Sequence, residues 1–343
     1  MDLEMLAFRA SCLQTVRSFF IERGYLETDT PALSPHLIPE TCLEVFQTEY
    51  RKPWQDTAEG VVPLYLVPSP ELYLKQIIAD HGVSLFQISR CYRNAESVGR
   101  IHSPEFTMLE YYTVHADYTA SLDLTEELFS FLLDTLFPKG HEPVGLRPPF
   151  IRMTMDDAFR TFAGVPLSEN PEPADLARHA ASLGLGDEET LAAWSWDDLY
   201  ELLLVHTVEP ALPRDRPVAL IDYPAAVPCL AAENTETVEH PDGRRLRWNT
   251  RERWELYAGG VELANCYTEL RDAERIRRYM ETENREKQKH ARVPHPAIPD
   301  FDQICARMPP CSGSALGLDR LIMLLAGRSS LDSILPFPLT DRI

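Results

Sequence analysis

Residues 90–112 read RCYRNAESVGRIHSPEFTMLEYY. Arg93 and Arg100 flank a short polar loop, and Glu105 and Glu110 follow it. A guanidinium grips phosphate or carboxylate oxygens through paired hydrogen bonds. An aromatic ring such as Phe106 can stack on a purine, and a carboxylate such as Glu110 answers a cation. The segment therefore has the parts of a site that holds an anion and a cation at once. Any one Arg–Glu pair in it would equally suit an ordinary surface hairpin.

Two other segments have related character. In WELYAGGVELANCYTEL, residues 254–270, Glu255 and Glu262 stand on either side of Gly259-Gly260. Paired strands would bring both toward one point, and two carboxylates suit Mg²⁺, which prefers oxygen ligands and shared phosphates. Asn265, Tyr267 and Glu269 alternate onto one strand face. Glu262 is out of phase with them, so a β-bulge would be needed to gather all four. The alternative is a solvent-facing strand with alternating acids. In GSALGLDRLIMLL, residues 313–325, Gly313 and Gly317 let backbone approach a ligand closely. Asp319 and Arg320 stand near the start of the helix that follows.

The elements that must carry these residues are legible from periodicity. Residues 4–24 place Leu6, Leu13, Val16 and Phe20 near helical spacing, and Gly24 stops the run. PLYLVPSPELYLKQIIADHG predicts a short strand, a turn at Pro68 to Pro70, and a helix ending near Gly82. VSLFQISRCYRN alternates as a strand, with Leu85, Gln87, Ser89, Cys91 and Arg93 on one face. EFTMLEYYTV returns antiparallel to it, with Phe106, Met108, Glu110 and Tyr112 on one face. From about 115 to 250 the chain is more helical, with helices expected in YTASLDLTEELFSFLLDTLF, PEPADLARHAASLGLG and SWDDLYELLLVHTVEPAL. RPVALIDYP reads as a buried strand, and residues 254–270 as a hairpin turning at Gly259-Gly260. The pattern is α+β on a mainly antiparallel sheet.

Composition bounds the function. The 343 residues are 44% hydrophobic, enough for a sizeable core. No apolar run approaches the roughly 20 residues of a membrane span, and the N-terminus lacks the pattern of a secretory signal. Seven cysteines are scattered without a CxxC pair, as expected of reduced thiols packed as small hydrophobes. The net charge of −20 repels nucleic acid unless positive charge is concentrated locally. The most basic stretch, residues 271–292, is interleaved with glutamate and reads as a solvated helix face. tRNA and DNA are thus disfavoured as ligands.

Taken together, FFIERGYLETDTPAL, FQISRCYRNAESVGRIHSPEFTMLEYY and GSALGLDRLIML resemble, in order, the three signature motifs of class II aminoacyl-tRNA synthetases. SPELYLKQ, PEFTMLEYY and VELANCYTEL narrow the likeness to the lysyl branch. The first motif begins within the first 30 residues, so the anticodon-binding barrel that precedes it in a lysyl-tRNA synthetase is not expected here. In this the chain is similar to the elongation factor P lysine ligases. Ala315, where the synthetases carry glycine, and Ser69, where they usually carry alanine, agree with the ligases, whereas Tyr73 is the synthetase spelling.

The resemblance implies a single class II synthetase-like catalytic domain over 1–343. It implies ATP-dependent activation of lysine, preferably (R)-β-lysine, and transfer to a lysine side chain of elongation factor P. ATP and Mg²⁺ are the implied cofactors, and a cytoplasmic homodimer the implied state. Arg93 would hold the α-phosphate and the amino-acid carboxylate, and Arg320 would sandwich the adenine with Phe106. These two arginines are the expected catalytic residues. Asn94, Ala95, Glu96, Arg100, His102, Ser103, Leu263 and Gly317 would complete the ATP site. Glu255 and Glu262 would bind Mg²⁺. Glu71 would meet the amine near the carboxylate, and Ser69 and Pro70 would belong to the same substrate site. Glu110, Tyr112, Asn265, Tyr267, Glu269 and Ala315 would shape the cationic pocket. Both families usually place glutamate where this chain has Ala95, so a one-residue shift is inferred that hands adenine recognition to Glu96. Activation of a diamino acid for another acceptor (tRNA or a carrier), or a non-catalytic adenylate- or lysine-binding paralogue, are the alternatives.

Overall fold

The computed structural model describes residues 2–55, 60–169, 171–239, 243 and 245–341. The chain divides into two compact units, Met1–Pro143 with Thr268–Ile343, and the intervening Val144–Tyr267. The first unit opens with α1 (Leu3–Glu22). Asp2 caps it by accepting the Glu4 N–H at 2.9 Å, and Gly24, at φ 79°, turns the chain out. Its buried face is Cys12, Val16, Phe19 and Phe20. The expected apolar stripe is there, centred slightly away from Leu6 and Leu13.

Next come β1 (Leu26–Glu27), β2 (Leu33–Ser34), β3 (Gln47–Arg51), β4 (Val61–Leu66) and α2 (Glu71–His81). Gly82 ends α2 in the left-handed region. The expected hairpin follows as β5 (Leu85–Tyr92) and β6 (Glu105–Val114), pairing Leu85 with Tyr112 and Cys91 with Phe106. α3 (Tyr118–Leu136) starts at Asp117, whose carboxylate accepts the Thr119 and Ala120 N–H groups.

The second unit contains β7 (Ile151–Thr154), α4 (Met155–Ala158), α5 (Pro173–Ser182), α6 (Glu188–Leu191), α7 (Trp196–Leu203), α8 (Glu209–Ala211), β8 (Val218–Pro224), β9 (Glu233–Glu239), β10 (Arg245–Ala258) and β11 (Val261–Thr268). Its strands run β7-β8-β10-β11, with β9 on β10. Helices pack over an apolar cluster in which Phe159 and Trp196 stack on Tyr200 at 5.1 and 5.2 Å. The chain then returns to the first unit with α9 (Ala273–His290), α10 (Phe301–Arg307), β12 (Cys311–Gly317) and α11 (Leu318–Leu325).

In the first unit the strand order is β1-β5-β6-β12, antiparallel except for β1 against β5. One face of this sheet is closed by α1 and α3. Phe20 stacks on Phe86 at 5.0 Å and leans on Tyr111 at 4.9 Å, and Ser121 bonds Ser314. Period-two alternation then leaves Phe106, Glu110 and Tyr112 for the opposite face. A separate small sheet, β2-β4-β3, is an addition to the sequence reading. The architecture is α+β with mostly antiparallel strands, as expected. Among the described residues no helix is long and apolar enough to cross a membrane. All seven cysteines are free, five of them buried.

A buried ion pair ties α1 to α11. Arg9 Nη1 lies 2.7 Å from Asp319 Oδ1, and Arg9 Nη2 donates to Thr107 Oγ1 at 2.8 Å. Asp319 Oδ2 also accepts the Thr107 N–H at 2.7 Å. Removing one partner strands the other charge in the interior, which costs about 3–5 kcal/mol. Arg9→Met is therefore expected to lower the unfolding free energy by about that amount. Urea denaturation checks it, and a loss near zero would contradict the pairing.

Candidate active site

The cation end of the site lies in the first unit. β6 presents Glu110 and Tyr112 on one face, and the Tyr112 hydroxyl donates to Glu110 Oε1 at 2.9 Å. β12 runs beside it in a register that sets Gly313 opposite Tyr112 and Ala315 opposite Glu110. A Cβ on Gly313 would run into the Tyr112 ring and lie 2.5 Å from Glu269 Oε1. Glycine at 313 is thus what allows Tyr112 and Glu269 to meet over β12. Glu269 is anchored by its own N–H, which donates to Cys311 O at 2.9 Å.

Glu71 opens α2 directly after Pro70, which serves as its N-cap, and Ser69 precedes them half-buried. Lys75, one turn on, is fully buried. Its Nζ stands 2.5 Å from Glu71 Oε1 and 2.8 Å from Glu269 Oε2. Glu71, Glu110, Tyr112 and Glu269 are therefore linked through Lys75 and Gly313 into one acidic pocket, with Ala315 beside Glu110.

The electrostatics of this pocket are unusual. Burial pushes the Glu269 carboxyl up to about 7; Lys75 pulls it down and Glu71 pushes it further up. Burial, with Glu71 adding to it, holds Glu110 well above the usual carboxylate range. Glu110 Oε2 and Glu269 Oε1 are buried yet accept no hydrogen bond from the described residues. Buried acceptors are rarely left so.

The anion end begins where β5 stops. The Arg93 N–H donates to Pro104 O at 2.9 Å, closing the loop between β5 and β6. The Arg93 guanidinium lies 5.3 Å from the Phe106 ring centroid, and its buried Nε has no hydrogen-bond partner among the described residues. Ala95 adopts φ 57°, and its N–H is held by Asn94 Oδ1 at 2.8 Å. The left-handed step at Ala95 is where the loop departs from β geometry, and half-buried Glu96 follows it.

The far end of the loop is tied to the C-terminal segment. Arg320 Nε donates to Ile101 O at 3.1 Å, Arg100 Nε to Ser329 O at 3.2 Å, and the Leu331 N–H to Arg100 O at 2.8 Å. Burial and the Arg320 charge lower the His102 pKa, with Glu96 partly opposing them. His102 is thus neutral at pH 7 and offers hydrogen bonding rather than charge. Ser103 is half-buried in the same loop, and Gly317 closes β12 as the N-cap of α11.

The second unit carries the other predicted residues on the β10–β11 hairpin. Glu255 pairs with Asn265 and Arg253 with Tyr267. The register then shifts, so that Leu256 faces Ala264 but Tyr257 faces Glu262, leaving Leu263 as the extra residue. The required bulge is present. It returns Glu262 to the face shared by Glu255, Asn265 and Tyr267. The Glu255 carboxylate receives Arg253 Nη2 at 2.5 Å and the Tyr257 hydroxyl at 2.8 Å. Among the described residues no group of three or more His, Cys, Asp or Glu forms a metal cage. Two carboxylates on one face still fit Mg²⁺, which keeps waters and takes substrate phosphates as further ligands.

Three residues escaped the sequence reading. Lys75 could have been suspected from its i,i+4 spacing to Glu71. Glu40 had no such signal. Its carboxyl is pushed up to about 7 by burial and Glu71, against Arg93 and Lys287. Lys287 corrects the reading of residues 271–292 as a wholly solvated face: it is buried, and its Nζ donates to Glu40 O at 2.8 Å and to Leu43 O.

Residues 3–341 match the family of class II tRNA synthetases (D, K and N). The chain belongs to that class. An elongation factor P--(R)-beta-lysine ligase of Yersinia enterocolitica is 35% identical over 331 residues, covering 96% of this chain and 93% of the relative. Those of Pectobacterium atrosepticum and Edwardsiella ictaluri are each 36% identical, with the same coverage. Within the class, the chain belongs to the family of these ligases.

Proposed function

We propose that the chain activates a lysine, (R)-β-lysine before α-lysine, with ATP as an acyl-adenylate and transfers the acyl group to a lysine side chain of elongation factor P. The reading rests on one observation above all. The first unit has two buried carboxylate oxygens, on Glu110 and Glu269, and a buried guanidinium Nε, on Arg93, that find no hydrogen-bond partner among the described residues. A diamino acid offers the matching carboxylate and ammonium groups. The relatives' names supply (R)-β-lysine and elongation factor P as substrate and acceptor.

In this reading the substrate carboxylate attacks the α-phosphate and pyrophosphate leaves. The amine of the acceptor lysine then attacks the acyl carbon, loses a proton, and AMP leaves. Arg93 binds the carboxylate and the α-phosphate, holding them in line. Arg320 and Phe106 stack the adenine. Asn94, Ala95, Glu96, Arg100, His102, Ser103, Leu263 and Gly317 line the nucleotide. Glu71 receives the amine near the carboxylate, and Ser69 and Pro70 belong to the same substrate site. Glu110, Tyr112, Asn265, Tyr267, Glu269 and Ala315 receive the remainder of the amino acid. Glu255 and Glu262 hold Mg²⁺, which when bound neutralises phosphate charge. A single catalytic domain, a homodimer and a cytoplasmic location complete the proposal.

ATP–pyrophosphate exchange with (R)-β-lysine, α-lysine, ornithine and no amino acid tests the first step. Transfer of radiolabelled substrate to elongation factor P and to tRNA tests the second. Exchange that ignores the amino acid would sink the proposal. The same assay reads the glycine floor. Gly313→Ala is expected to lower lysine kcat/KM by about 10²-fold, because displacing Tyr112 and Glu269 spoils their alignment. A variant with unchanged kcat/KM would place the pocket elsewhere.

A further inference from the structure

Lys75 lies at the centre of the acidic pocket but is no part of the chemistry described above. It has no solvent exposure, an uncommon state for lysine. It touches a carboxylate on each of two segments: Glu71 at 2.5 Å from its own helix, and Glu269 at 2.8 Å from the chain after β11. The Phe301 ring of α10 lies 5.7 Å from its Nζ. Among the described residues, the Lys75 ammonium contacts the Glu71 and Glu269 carboxylates and acts electrostatically on Glu110.

We propose that Lys75 is a positioning and specificity-determining residue, an internal counter-ion that holds Glu71 and Glu269 in place and leaves the pocket with a formal charge of −2, the complement of a substrate with two ammonium groups. Without it the pocket would carry a formal charge of −3, and its carboxyls would hold their protons to a still higher pH. A diamino acid would then have to displace those protons to bind. This inference rests on the lysine-pocket reading and deepens it.

The other groups around Lys75 do not replace its charge. The Cys305 thiol of α10 is pushed up to about 12 by burial, and the Cys311 thiol of β12 is pushed up by the same cause, so both stay neutral. Arg271 acts on Cys311, and Asp302 of α10 is paired with Arg277 at 2.5 Å. Glu71 pushes the Glu40 carboxyl up, with Arg93 opposing it. Lys75 alone is in ion-pair contact with both Glu71 and Glu269 in the contacts described. It also lowers the pKa of both Glu269 and Glu110.

The test is ATP–pyrophosphate exchange with (R)-β-lysine from pH 6 to 9 on the full chain and on Lys75→Met, Lys75→Gln and Lys75→Arg. Loss of the charge is expected to raise KM about tenfold at pH 7, with a smaller effect on kcat. It should also move the acidic limb of the KM profile up by about one pH unit. The arginine variant should keep the parent's limb. If Lys75→Met does not fold, Lys75→Gln reads the same change. A neutral variant whose limb superimposes on the parent's, or an arginine variant displaced as far as the neutral ones, overturns the role of Lys75 and leaves the pocket reading standing. A parent without lysine-dependent exchange overturns both.

Discussion

Arg93→Ala is expected to lower lysine-dependent ATP–pyrophosphate exchange by about 10²–10³-fold or more. The guanidinium is placed before any ligand arrives. Its backbone N–H is fixed to Pro104 O, and its side chain rests near the Phe106 ring. The buried Nε has no partner to lose among the described residues. Truncation should therefore remove little stability while removing the charge that meets the carboxylate and the α-phosphate. Charge-assisted bonds to such oxygens are the strong ones, and in a water-poor site they act on the transition state. The same preparation should show a melting temperature within a few degrees of the parent. A folded Arg93→Ala protein with near-parent exchange would mean that the anion site is built from other residues.

Glu269→Gln is expected to lower kcat/KM for a lysine by about 10²-fold while narrowing the preference over an amino acid without a side-chain amine. The amide keeps the shape and loses the charge. An ammonium docked against it would face a neutral group in a buried pocket, where an unpaired charge costs about 3–5 kcal/mol. The parent should also show a characteristic pH dependence. With the free carboxyl titrating at about 7, the ionised form that receives an ammonium grows as pH rises through that value. The KM for lysine should fall from pH 6 to about 8 and then level, and the Gln variant should lose the part of that limb due to Glu269. For stability the sign is opposite. A carboxyl raised in the folded state favours folding below its unfolded pKa, and that contribution is lost as pH rises through about 7. A Gln variant with unaltered lysine selectivity would remove Glu269 from the pocket.

The elements bearing the chemistry were readable because each had a strong local signal. The β5–β6 hairpin follows from alternation on both sides of one polar loop. α1 follows from Leu6, Leu13, Val16 and Phe20 at helical spacing; the Asp2 and Asp117 carboxylates that cap α1 and α3 emerge only from the structure. Even the bulge at Leu263 was implied by phase, since Glu262 could reach the Asn265 face in no other way. The small sheet was not legible, because β3 is exposed along its whole length and so shows no burial alternation. Lys287 was misread for a related reason. Its neighbours in sequence are charged and solvated, whereas its partners, the carbonyls of Glu40 and Leu43, lie more than 240 positions away. Glu40 and Lys75 owe their environments to the same kind of distant contact.

The register of β12 against β6 also bears on how this pocket could be adapted to a different amino acid. Position 313 has no vacant volume, since any side chain there collides with Tyr112 and Glu269 together. Two positions along the same face, Ala315 already carries a methyl group opposite Glu110. Natural divergence and laboratory libraries alike should therefore find tolerated variation at 315 and very little at 313. A screen for new substrates would do best to randomise Ala315 and leave the glycine fixed.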